Sequence, residues 1–151
     1  MSYLPPTREL RERLDTAQTL TRFFYRERAV ALACGGWIPR VPRLESKAEL
    51  GRTVWESALA ADALRERVFE LRYPSRFIEE QVEEIGLDGP DDLRSLIGRL
   101  RDDYRAYLDA GDELADGPSL RIVDAAHKDK ERQARALAGL EALAGEDPAR
   151  D

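Results

Sequence analysis

Six polar side chains in this chain have types and spacings that could do chemistry inside a helical bundle. Glu27 lies within roughly 60° of Phe24 on a helical wheel, inside an apolar arc. His127, Lys130 and Gln133 fall in the arc marked by Val123, Ala126, Ala134 and Leu137. Asp103 sits on the margin of another arc, beside Leu96 and Tyr107. Glu56 lies roughly 140° from Ala61, the middle of its own stripe, on the side of Glu49, Arg52 and Arg67. Ala60 stands between it and the core, so periodicity alone makes Glu56 a surface carboxylate. Carboxylates and an imidazole in a bundle interior are the donors of a transition-metal site. A carboxylate facing an ammonium is instead a buried ion pair. Each residue also has a plainer reading. Glu27 and Lys130 could snorkel, His127 could be a hydrogen-bonded core histidine, and "KDKER" a solvated face.

Four long amphipathic patterns must position these groups. The first begins after "LPP", with Thr7 as N-cap. It shows Leu10, Leu14, Ala17, Leu20, Phe24 and Ala31 on one face. "CGGWIP" is expected to stop it at Gly35 and Gly36, with Pro39 unable to continue the ladder. The second runs from about Ser46 to Leu71, with Leu50, Val54, Ala58, Ala61, Leu64 and Val68 as its stripe, and Pro74 follows it. "SRFIEEQVEEIGL", residues 75 to 87, reads as a short helix. The third long helix spans about 91 to 114 on Leu93, Leu96, Ile97, Leu100, Tyr104, Tyr107 and Leu108. Pro118 opens the fourth, about 118 to 144. No strand-like alternation, repeat or low-complexity tract interrupts this pattern. The expected fold is all-α: a four-helix bundle with a short extra helix in the connection between helices 2 and 3. One domain over 1–151 is expected, and frayed ends at 1–6 and 145–151 are expected with it.

The totals narrow the function classes. The chain has 151 residues, enough for one domain with a real core. Its net charge of −6 argues against a dedicated nucleic-acid binder. No run approaches the ~18 apolar residues of a membrane span, and "MSYLPPTREL" has no apolar signal region. Cys34 is the single cysteine, so neither an internal disulfide nor a cysteine metal cluster can form, and a reducing, cytoplasmic setting is expected. Phosphate-binding glycine loops, nucleophile elbows and cysteine–histidine zinc spacings are missing from the sequence.

"TRFFYRERAVALACGGWIPRVPRLESKAELGRTVWESALAADALRER" and "YLDAGDELADGPSLRIVDAAHKDKERQ" resemble a branch of the ferritin-like superfamily. The likeness covers most of residues 18 to 135, and its more distinctive parts are the GWIP and DGPSLRI turns. The resemblance implies a ferritin-like arrangement of the four helices. It also implies an acid in the first helix, met by Glu27, and one in the second, met by Glu56. The second-helix histidine position holds Ala60, and the fourth-helix Glu-x-x-His positions hold Lys130 and Gln133. Both expected histidines are therefore missing, and one expected carboxylate is a cation. If the family register holds, Glu56 faces inward more than periodicity suggests.

Three functions follow as expectations. The first is a non-catalytic bundle, a binding or assembly module without cofactor. Here the Lys130 ammonium replaces the lost metal by pairing with Glu27, with Gln133 donating as well. Trp37, Ile38 and Val41 around the proline turn form either a contact patch or the packed end of the bundle. A homodimer or a protein partner is expected; nucleic acid and membrane are not. The second is an iron- or manganese-dependent oxidase or oxygenase using Glu27, Glu56, His127 and Asp103. The third is a small-molecule binder with a cavity beside Ala58, Ala61, Ala126 and Ala134; the same small residues would equally allow close helix approach.

Overall fold

The computed structural model describes residues 8–71, 85, 87 and 89–138. Among them every regular element is helical: α1 (Arg8–Trp37), a 3₁₀ turn (Ile38–Arg40), α2 (Leu44–Glu70), α3 (Pro90–Ala110) and α4 (Glu113–Ala138). No described helix is long and apolar enough to cross a membrane. Thr7, most of the expected short helix at 75–87, and the stretch from 139 to 144 lie outside the described residues.

The helices form where apolar residues recur at helical spacing, and their ends follow local chemistry. Gly35 and Gly36 do not stop α1, because neither takes a left-handed backbone. The helix continues to Trp37 and tightens into the turn that contains Pro39. The Lys47 ammonium donates to the Ile38 carbonyl at 3.1 Å and helps hold that turn. α3 ends at Ala110, four residues earlier than expected, where Gly111 takes extended backbone. α4 opens with a short turn, kinks at Asp116 (φ −149°, ψ 56°), and then continues through Pro118. Asp116 Oδ1 accepts the Ser119 N–H at 3.3 Å, so Asp116 is the N-cap of the main run.

The pairings fix the directions of the helices. Arg26 meets Asp103, while Phe23 sits edge-on to both Tyr104 and Tyr107, so α1 and α3 run antiparallel. Glu56 meets Arg132 and Arg67 meets Ser119, so α2 and α4 also run antiparallel. Short turns make α1 with α2, and α3 with α4, into antiparallel hairpins. α2 and α3 consequently run in the same direction.

One buried cluster joins all four helices. Leu20, Leu50, Leu64, Leu93, Ile97, Leu100 and Leu137 are fully enclosed. At roughly 1.5–3 kcal/mol for each such side chain, this apolar layer supplies the driving force for folding. Val41 is buried, and Trp37 and Ile38 pack partly buried against the core. These residues pack at one end of the bundle, with Trp37 and Ile38 half-buried.

Candidate functional site

α2 turns a different face inward from the one its apolar residues suggest. Ser46, Leu50, Thr53, Ser57, Ala60, Ala61, Leu64 and Val68 are buried, and Ala58 is exposed. The Thr53 and Ser57 hydroxyls find partners, while Ser46 Oγ has none among the described residues. Thr53 Oγ1 donates to the Glu49 carbonyl at 2.9 Å. This rotation brings Ser57 to the centre and carries Glu56 from the outer face to the edge of the α2–α4 seam, where its side chain is only 12% exposed.

At the centre, four helices contribute one polar cluster. Lys130 Nζ of α4 lies 2.7 Å from Glu27 Oε2 of α1, and both side chains are 0% exposed. The Tyr104 hydroxyl of α3 donates to Glu27 Oε1 at 2.7 Å. Lys130 also donates to Ser57 Oγ of α2 at 3.2 Å and to Gln133 Oε1 at 2.9 Å. Gln133 thus accepts from Lys130 rather than donating to Glu27, and its buried Nε2 has no partner among the described residues. Burial first, then the charge and hydrogen bond of Glu27, raise the Tyr104 phenol well above its usual range. The phenol therefore stays protonated and keeps donating. Burial also pushes the Cys34 thiol up to about 12, with the Lys130 charge opposing. Cys34 is a packed, unreactive core residue.

A second cluster lies nearer the surface on α2 and α4. Arg132 donates to Glu56 through two nitrogens and to Glu49 at 3.0 Å, while Arg52 stands 3.5 Å from Glu56. Asp129 shares a hydrogen bond with Glu56. Burial, that bond and the Glu56 charge push the Asp129 carboxyl up to about 6, against the pull of Lys130. A third tie runs from Arg67 to Asp116 at 2.8 Å and to Ser119 at 2.9 Å, fastening α2 to the start of α4.

The alternative ligand set does not converge. Glu27 is taken by Lys130, and Glu56 by Arg132. Asp103 is exposed and paired with Arg26 at 2.8 Å. His127 is 8% exposed, with Nδ1 3.2 Å from Glu131 on its own helix. Among the described residues, no group of three or more His, Cys, Asp or Glu side chains is arranged to hold a metal ion. The donor set therefore does not fit a carboxylate-bridged metal pair, which takes four carboxylates and two histidines. Nor do the small residues line one space: Ala61 and Ala126 are buried, Ala134 is half-buried and Ala58 is outside.

Periodicity identified Glu27, His127, Lys130 and Gln133 as inward-facing, and all four are buried. It missed the roles of Tyr104, Ser57, Asp129 and Arg132. A signal for Ser57 was present, since it stands seven residues from both Leu50 and Leu64. No family model, curated protein or solved structure matches the chain.

Proposed function

We propose that this chain is a metal-free bundle of ferritin-like type that serves as a binding or assembly module in a reducing, cytoplasmic setting. The observation that carries this reading is the 2.7 Å contact between Lys130 and Glu27, with neither side chain exposed. An isolated buried carboxylate is costly and needs a counter-charge. In a metalloprotein of this architecture the ion supplies it; here an ammonium supplies it. Tyr104 bonds the acid, Ser57 and Gln133 bond the ammonium, and with neither charged side chain exposed the inner acid has no open face for a substrate. The iron- or manganese-dependent reading lacks comparable support, because each acid it would need is already paired with a cation.

Elemental analysis of full-length protein purified without chelator, before and after incubation with iron(II) or manganese(II), tests the proposal. Metal at trace level in both cases, unchanged by Glu27→Gln, is the expected result. Stoichiometric iron or manganese that disappears on Glu27→Gln would overturn it.

A further inference from the structure

We infer that the outer face of α2 is a self-association surface that pairs antiparallel with α2 of a second copy about a two-fold axis that crosses the helices at the height of residue 57. The inference rests on the assembly-module reading and names the surface and the partner. Ala48, Arg52, Trp55, Leu59, Asp62 and Glu66 follow one another at spacings of four, three, four, three and four. That is the 3.5-residue seam by which one helix packs along another. All six are exposed. They lie opposite the inward seam of Leu50, Ser57, Ala61, Leu64 and Val68.

Two large apolar side chains mark the middle of this outer seam. Trp55 is 66% exposed and Leu59 52%. Single exposed apolar residues are ordinary. A tryptophan and a leucine one turn apart on a heptad seam are a patch with a direction.

The charges identify the occupant as a second copy. In a two-fold interface, residue i meets residue j of the partner and j meets i. Trp55 and Leu59 lie two residues either side of Ser57, so each Trp55 would pack on the other copy's Leu59. Arg52 and Asp62 lie five residues either side, so each arginine would face the other copy's aspartate. Arg52 is free to turn outward. Its own partner Glu56 is 3.5 Å away and already bonded by Arg132. Asp62 has no ion pair among the described residues. At the ends, Ala48 gives the Glu66 side chain room.

Sedimentation equilibrium on full-length protein tests this with two charge reversals, Arg52→Asp and Asp62→Arg. Both residues are exposed, so circular dichroism is expected to be unchanged. The parent chain is expected to show a concentration-dependent monomer–dimer equilibrium. Each reversal sets like charges together at both pairs and raises the dimer dissociation constant by roughly tenfold or more. An equimolar mixture of the two variants restores opposite charges at both pairs. It is expected to form a heterodimer tighter than either homodimer. A parent chain that stays monomeric at all concentrations would overturn the inference, as would self-association that neither reversal weakens, or a mixture no tighter than its components. Metal content of the same samples reports separately on the metal-free reading, so either idea can fail without the other.

Discussion

Two carboxylate–cation contacts share α4, one reaching α1 and the other α2, and they are built differently. Glu27 and Lys130 meet at the centre with no exposure, supported by Tyr104, Ser57 and Gln133. Glu56 and Arg132 meet at the edge, 12% and 20% exposed, among other charges that compete for the same atoms. Water can replace a lost partner at the edge and cannot at the centre. The central pair is therefore costly to break and of little net worth against a well-packed apolar substitute. The edge pair is less costly to break, because water reaches it. The central cluster draws one or more residues from each of the four helices to one place.

The largest predicted effect follows from breaking the centre on one side. Lys130→Met leaves Glu27 buried without its counter-charge and is expected to cost about 3–5 kcal/mol in urea unfolding. Raised salt should not reduce that loss, because the site is screened from solvent ions. Tyr104→Phe keeps the ring and removes one donor to a charged acceptor. It is expected to cost about 1.5–3 kcal/mol by the same measurement. Arg132→Ala is expected to cost about 1 kcal/mol or less, and the loss should shrink as salt rises. An equal or larger loss at Arg132 than at Lys130 would remove the distinction between the two regions.

The smallest effect belongs to pH. The Asp129 carboxyl is raised in the folded chain to about 6, above the 3.8 of an ordinary aspartate. The folded state therefore holds this proton more tightly than the unfolded one. The stabilisation is complete below the unfolded value and is lost as pH rises through about 6. Asp129→Asn should raise the melting temperature slightly above that pH and change little in acid. A variant that stabilises equally in acid and base would show that Asp129 does not share a proton with Glu56.

The sequence made the four helices legible because their apolar spacing is regular, and the fourth gave Lys130, Gln133 and His127 as inward-facing. α2 was less legible for a physical reason. Thr53 and Ser57 are buried with satisfied hydroxyls, while Ala58, equally small and apolar, points to solvent. A wheel that counts only apolar residues turns the helix toward Ala58 and sends Glu56 outward. Asp103, on the margin of its arc, reaches solvent and pairs with Arg26 there. Tyr104 was legible as core, yet its hydroxyl role depends on a contact 77 residues away that no local pattern encodes.

The central claim is that the inner acid is balanced by an ammonium of the chain itself. A double-mutant cycle on Glu27→Leu and Lys130→Met tests it most directly, with urea unfolding as the readout. The account predicts strong coupling: the double variant recovers most of the stability that Lys130→Met alone loses. Two losses that simply add would contradict it, because each residue would then be stabilising the bundle without the other.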